Sequence, residues 1–299
     1  MSTGHAAGAH EALAPQEVWI DGCAAREVSV LERALHYGDG LFETIACLGG
    51  SARFLELHLA RLARGAERLG IAPLDPSVLR REVVAIAARA DRAVVKVLVS
   101  RGVAAARGYA VTGAEKATRI TFRFAWPPDD PSLGRAGVRV RVAALRLGEN
   151  PHLAGLKHCN RLEQIVARRE SSDPDFADAL LFSSSGALIS GTMSNVFIAR
   201  NGELCTPRLD RCGVAGIMRQ VVREVAARAG MAIAEAILGA EDLARAQELF
   251  LTNALIGIRP VREIDGRALA IGPLTRRAQQ LLAPALVAAG AAAEVSANG

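Results

Sequence analysis

Aromatic side chains are scarce in this 299-residue chain, at 4% of the composition, with two tryptophans and two tyrosines. A nucleic-acid binder carries basic runs with interleaved aromatics; neither is present, so no nucleic-acid partner is expected. No apolar stretch approaches the ~18–20 residues that a membrane-crossing helix needs, which excludes an integral membrane protein and a membrane partner. The start, Met1 to His10, has no basic segment followed by an apolar one, so secretion is not signalled. Cysteine is also sparse. Cys23, Cys47, Cys159, Cys205 and Cys212 form no CxxC pair, and their odd number argues against a disulfide scaffold. Free thiols in a reducing cytoplasm are the expectation. No internal repeat is found.

What is present is an ordinary globular composition, 51% hydrophobic and 22% charged, which excludes a disordered or collagen-like chain. This length predicts two domains. Lys plus Arg number 36 against 31 Asp plus Glu, giving +5 with neutral histidines. The excess is mostly arginine scattered along predicted helices. Such a mild positive field suits a small anionic substrate.

Residues 1–15 and 290–299 are small and polar enough to fray and are expected to be disordered tails. Val18-Trp19-Ile20 before Asp21-Gly22 predicts a strand and turn. Leu55, Leu59, Leu62, Ala66 and Leu69 recur at helical spacing and predict an amphipathic helix that stops at Gly70. A second helix is predicted over 76–92, with Pro76 in its first turn. Residues 94–100 form a nearly continuous β-branched run, and Ile120, Phe122, Phe124 and Trp126 alternate with Thr121, Arg123 and Ala125, so two strands follow. Three prolines in the five positions after Trp126 (Pro127, Pro128 and Pro131) place a linker over 126–134. A smaller N-terminal α+β domain is thus expected over 16–125 and a larger C-terminal α+β domain over 135–289. In the latter, Val138, Val140 and Val142 alternate, and strands are expected at 179–182, 196–200 and 249–252. Helices are expected at 161–170, 216–229 and 273–289. Asn160 and Glu163 have the spacing of a capping box, and Asn201-Gly202 predicts a hairpin turn.

Three segments look too specialised for packing alone. Leu35-His36-Tyr37-Gly38-Asp39-Gly40-Leu41-Phe42-Glu43-Thr44 offers glycines that let backbone approach a ligand, although by itself it reads equally well as a tight turn before a strand. Asn150 to Glu163 holds Lys157 in an apolar stretch just before a helix. Partial desolvation there favours the neutral amine that Schiff-base chemistry requires, while a lysine snorkelling to water is the commoner fate. His152 and His158 lack a matching Cys/His cluster, so no metal site is expected. Arg211-Cys212-Gly213-Val214-Ala215-Gly216-Ile217-Met218-Arg219 is a glycine-punctuated loop entering a helix, a generic phosphate site. It matches neither a Walker A loop nor GxGxxG, so no nucleotide is indicated.

In order along the chain, H-Y-G-D-G-x-F-E-T, N-P-H-L-A-G-x-K-H-x-N-R-L-E-Q, G-V-x-G-I-M-R and F-L-T-N-A-L resemble the fold-type IV pyridoxal-phosphate enzymes, from Val18 to Leu282. That class includes branched-chain and D-amino-acid aminotransferases. The lysine-centred run and Thr252-Asn253-Ala254-Leu255 are most similar to the aminodeoxychorismate lyase family. The resemblance implies a two-domain α+β fold with its active site in the interdomain cleft, pyridoxal 5'-phosphate as cofactor, and a homodimer. It implies a lyase that converts 4-amino-4-deoxychorismate to 4-aminobenzoate and pyruvate, with a D-amino-acid or branched-chain aminotransferase as the alternative.

Residue by residue, Lys157 matches the lysine that holds the cofactor covalently and then shuttles protons. Arg61 matches the arginine on the cofactor phosphate, where a fixed cation is useful. Gly216, Ile217 and Met218 match the phosphate-binding helix start, and Val214 matches the residue packed on the pyridine face. Asn195, Asn253 and Ala254 fall on the cofactor side of the pocket. Arg107 matches an arginine that grips a substrate carboxylate, and Tyr37, Tyr109, Asn253 and Leu255 fall beside the substrate. One departure stands out. The related stretch reads E-G-T-x-S-N, whereas this chain reads Ser190-Gly191-Thr192-Met193-Ser194-Asn195. Serine in place of the glutamate can hydrogen-bond the pyridine nitrogen but supplies no charge to keep it protonated. The implied consequence is a weaker electron sink, which favours a lyase over an aminotransferase and leaves open a catalytically impaired cofactor-binding homologue.

Overall fold

A computed structural model of the chain describes residues 14–104 and 107–291. Apart from residues 14–15 and 290–291, the two expected tails lie outside the described residues. The chain divides into two compact units. The first holds the chain through Pro128, Lys157–Asn160 and the chain from Val287; the second holds Asp129–Leu156 and Arg161–Leu286.

The first unit contains β1 (Glu17–Ile20), β2 (Cys23–Ala24), α1 (Arg33–Tyr37), β3 (Gly40–Leu48), β4 (Ser51–Ala52), α2 (Leu55–Leu69), α3 (Pro76–Ala87), β5 (Arg92–Ser100) and β6 (Thr118–Ala125). Its sheet runs β2-β1-β6-β5-β3-β4 and is antiparallel throughout. Alternation sets the two faces. Leu41, Ile45, Val95, Val97, Val99 and Thr121 are buried, while Phe42, Thr44, Lys96, Leu98 and Phe122 are half-buried. α2 buries Leu59, Leu62 and Ala66 and ends where Gly70 turns left-handed (φ 62°), its amide closing onto the carbonyls of Ala66 and Glu67. Asp75 caps α3 by accepting from the Ser77 amide at 2.8 Å. The helix expected over 76–92 stops at Ala87, because Arg92 pairs with Leu48 and opens β5. Sheet pairing of the β-branched run sets where this helix must stop.

The second unit contains α4 (Leu133–Ala136), β7 (Val138–Leu147), α5 (Leu162–Arg169), β8 (Phe176–Ser183), β9 (Leu188–Gly191), β10 (Asn195–Arg200) and β11 (Glu203–Pro207). These are followed by α6 (Ile217–Arg228), β12 (Ile233–Ala236), α7 (Ala240–Ala244), β13 (Glu248–Asn253), β14 (Gly257–Ile264), β15 (Arg267–Ala268) and α8 (Pro273–Ala291). The sheet order is β12-β11-β10-β13-β14-β7-β8-β9, with β15 beside β14. The β11–β12, β14–β7 and β7–β8 pairs are parallel and the others antiparallel. The Leu188 amide of β9 donates to the Leu238 carbonyl just past β12 at 2.7 Å, so the sheet curls until its ends meet. Val140, Leu180, Val196, Ile198, Leu251 and Val261 fill one face, and Phe197 stacks on Phe250 with ring centroids 4.7 Å apart. Asn201 (φ 52°) and Gly202 (φ 79°) make the expected hairpin turn.

The capping box expected at Asn160 and Glu163 does not form. Arg161 precedes α5 without a side-chain cap. The Asn160 amide donates instead to the Gly38 carbonyl at 3.1 Å, and Glu163 accepts from the Gly148 amide at 2.7 Å. Tertiary backbone groups outcompete the local ones for these side chains. Among the described residues no helix is long and apolar enough to cross a membrane.

Candidate active site

In the first unit, the three residues Lys157–Cys159 add to the outer edge of β3. The Phe42 amide donates to the Lys157 carbonyl at 2.9 Å, the Cys159 amide to the Gly40 carbonyl at 2.8 Å, and Leu41 bridges His158. Gly40 is packed on both sides: a Cβ there would sit 2.6 Å from the Val99 carbonyl oxygen of β5 and 3.4 Å from Cys159 Sγ. The pairing leaves Lys157 half-buried, with its Nζ 4.3 Å from the centroid of the Phe42 ring. The preceding Asp39 holds Arg33 (2.8 Å) and Arg101 (2.7 Å). Burial opposes its ionisation, but the two guanidiniums keep its carboxyl below the usual range.

Glu43, one residue along β3 from Phe42, points to the buried face. Arg61 grips it through Nε (2.7 Å) and Nη2 (2.5 Å), and His58 Nδ1 lies 2.6 Å away. Burial alone would raise the Glu43 pKa; hydrogen bonds from His58 and Arg61 bring it down to about 2. Burial lowers the pKa of His58, Glu43 opposes that, and the charges of Arg61 and Lys157 reinforce it. His58 is therefore a neutral ring that donates from Nδ1 to a carboxylate. His58 and Arg61 sit three residues apart on α2 and so share a face. Sequence reasoning singled out Arg61 but missed Glu43 and His58. The readable signal was an acid in the buried register of a strand, which demands partners.

Lys96 was missed as well. It lies on the same sheet face as Phe42, its Nζ 5.2 Å from the Phe42 centroid and 5.9 Å from that of Phe122. It is half-buried, and no acid pairs with it among the described residues. Tyr37 and Tyr109 come together edge to face, with centroids 5.3 Å apart. Arg33 lies over the Tyr37 ring and donates to the Tyr109 and Ala110 carbonyls, tying the 108–110 loop to α1. Arg107 is exposed, beside residues 105–106, which lie outside the described residues.

In the second unit, the segment leading to Lys157 is stitched to the loop before α6. The Asn150 amide donates to Arg211 O (2.8 Å), Gly155 to Gly213 O (2.9 Å) and Ala215 to Gly155 O (3.1 Å). Gly216 opens α6 with no side-chain cap and no acid in the first turn. Asn195 donates from Nδ2 to the Val214 carbonyl at 2.9 Å. Its Oδ1 lies 2.0 Å from where a Gly216 Cβ would be. The Ile217 and Met218 side chains are buried, so their contribution to a ligand is the backbone. Ser190 is 8% exposed, and its hydroxyl has no partner among the described residues. Asn253 accepts from the amides of Leu255 (2.9 Å) and Ile256 (3.0 Å) and donates to Met193 O (3.3 Å), which fixes the turn carrying Ala254 and Leu255. The buried Thr252 hydroxyl, opposite Asn195 across β10–β13, has no partner among the described residues.

These features fit a phosphate-bearing aldehyde. In the second unit, the uncapped helix start at Gly216 offers amides to a phosphate; in the first, a half-buried lysine offers an amine to a carbonyl. The fold and these groups define the class. Residues 40–264 match the amino-transferase class IV family, and the chain belongs to it. It is 32% identical over 265 residues to the aminodeoxychorismate lyase of Vibrio harveyi, covering 87% of this chain and 97% of the relative. It is 31% identical over 264 residues to a putative branched-chain-amino-acid aminotransferase of Methanocaldococcus jannaschii, covering 85% and 89%. The crystal structure of 4-amino-4-deoxychorismate lyase from Pseudomonas aeruginosa superposes with a TM-score of 0.86 at 43% identity, covering 89% of this chain and 98% of that one. The fold is shared with a PLP-bound hypothetical aminotransferase of Mycobacterium tuberculosis (TM-score 0.79, 22% identity, 91% and 99% covered).

Proposed function

We propose that the protein is a pyridoxal-phosphate-dependent carbon–oxygen lyase that converts 4-amino-4-deoxychorismate to 4-aminobenzoate and pyruvate, a step of folate biosynthesis. The observation that carries the reading is Lys157, held half-buried beside Phe42 by its pairing to β3. The likeness to the Pseudomonas aeruginosa lyase over nearly the full length of both chains supports it.

When bound, the cofactor supplies a carbonyl that joins an amine and an electron sink for the carbon bearing it. Lys157 is the covalent anchor. With its Nζ free, Lys157 would be the base for the ring proton at the amine-bearing carbon. The same nitrogen, now protonated, gives a proton to the departing enolpyruvyl oxygen. The α6 start at Gly216, Ile217 and Met218 would receive the phosphate; Arg61, whose fork Glu43 aligns, takes the role of the family arginine that is a fixed cation for that group. Val214 packs on the pyridine face, and Asn195, Asn253 and Ala254 shape the remaining wall. Arg107 holds a substrate carboxylate, flanked by Tyr37, Tyr109, Asn253 and Leu255. Lys96, without an acid partner, adds a fixed cation on the Phe42 side of the first unit's sheet, as a dianionic substrate requires. Ser190 meets the pyridine nitrogen as a hydrogen-bonding group without charge. Aromatisation provides a large driving force, so the lyase reaction tolerates this weaker sink better than transamination does.

The exposed apolar side chains Val30, Leu31, Leu35 and Tyr109 in the first unit support a homodimer. The free cysteines support a cytoplasmic setting. An aminotransferase is the second reading, favoured by the Methanocaldococcus jannaschii relative. One assay separates them. Equal yields of 4-aminobenzoate and pyruvate from 4-amino-4-deoxychorismate support the lyase. Faster amino transfer from leucine or D-alanine to 2-oxoglutarate supports the second reading, and cofactor uptake without either activity marks an impaired homologue.

A further inference from the structure

Asp178, near the start of β8, is 4% exposed, and no basic side chain pairs with it among the described residues. All its partners are neutral. Oδ1 accepts from the amides of Ala179 and Thr192, each at 2.8 Å, and from the Thr192 hydroxyl. Oδ2 accepts from the Ser194 hydroxyl at 2.7 Å. A carboxylate kept from water without a cation is costly. Here it organises one turn, residues 191–194, which closes through the Gly191 amide on Ser194 O at 2.8 Å. The fit is tight. A Cβ on Gly191 would lie 2.3 Å from Ser194 Oγ and 2.4 Å from Asp178 Oδ2.

The turn delivers the chain directly into Asn195, the first residue of β10. Asn195 is the side chain that holds Val214 O and fills the space beside Gly216. We infer that Asp178 is a positioning residue for the phosphate end of the cofactor site: its grip on residues 191–194 fixes Asn195, and Asn195 fixes the loop that opens α6. The inference rests on the functional reading above, in which the α6 start receives the phosphate.

The test compares equilibrium binding of pyridoxal 5'-phosphate and of pyridoxal, which lacks the phosphate, to the full chain. Wild type, Asp178→Ala, Asp178→Asn and Ser194→Ala are followed by absorbance and by cofactor-dependent thermal shift. Losing charge-assisted hydrogen bonds from the turn weakens pyridoxal 5'-phosphate binding about tenfold or more in Asp178→Ala. Pyridoxal binding changes by less than about twofold. Asp178→Asn keeps one acceptor oxygen and offers an amide to Ser194 Oγ, so most of the affinity returns. Ser194→Ala gives a smaller loss in the same direction, and it decides the question if Asp178→Ala does not fold. Wild type that binds pyridoxal 5'-phosphate while both Asp178→Ala and Ser194→Ala bind it as tightly overturns the inference alone, as does an equal loss for both ligands. Wild type that takes up neither ligand overturns the functional reading and this inference with it.

Discussion

The two units supply their candidate ligand groups in different currencies. The first presents side-chain charge: Lys157, Lys96 and the Glu43–Arg61–His58 cluster, in which a carboxylate is balanced by a guanidinium and a neutral ring. The second presents backbone and small polar groups: the amides that open α6 at Gly216, the Asn195 side chain packed beside it, and Ser190. The difference has a thermodynamic side. Charged clusters couple the fold to pH, whereas amides and close glycine packing couple it to shape alone.

The largest expected effect breaks the first unit's contribution outright. Lys157→Ala removes covalent attachment and proton transfer together, lowering kcat/KM by about 10^4; steady-state rates with 4-amino-4-deoxychorismate check it. The counterpart in the second unit is Gly216→Ala. Its methyl would sit 2.0 Å from Asn195 Oδ1, so Asn195 must move and release Val214. We expect a loss of about 1–3 kcal/mol in urea unfolding and weaker cofactor binding, with no dependence on pH.

Glu43→Gln sharpens the contrast through pH. The folded pKa of about 2 lies below the ordinary 4.5, so this carboxylate stabilises the fold fully above pH 4.5. That contribution, about 3 kcal/mol, disappears as pH falls from 4.5 to 2. The variant should be less stable than wild type at neutral pH and should lose the corresponding part of the acid dependence in urea titrations. The smallest effect is at Ser190. Ser190→Glu restores a charge for the pyridine nitrogen and should raise turnover up to about tenfold. No gain would contradict the view that serine weakens the electron sink.

Much of this could be read in the sequence. Local signals with a single cause held: Gly70 ended α2, Asn201-Gly202 made its hairpin, and Pro76 opened α3. The signals that failed had tertiary competitors. Asn160 and Glu163 carried capping-box spacing, yet backbone groups of Gly38 and Gly148 claimed them. The helix expected over 76–92 ran too far, because strand pairing took Arg92. Among the candidate site residues, Lys157 and Arg61 were singled out because their motifs are distinctive. Glu43, Lys96 and Asp178 were not, since their meaning lies in what faces them: an arginine on α2, an aromatic on β3 and a turn beyond β9.

The central claim is a covalent link between Lys157 Nζ and pyridoxal 5'-phosphate, and absorbance reads it directly. Purified protein incubated with the cofactor should show a band near the edge of the visible that borohydride abolishes and Lys157→Ala lacks. Protein that stays colourless after that incubation, or an equal band in Lys157→Ala, would contradict the account.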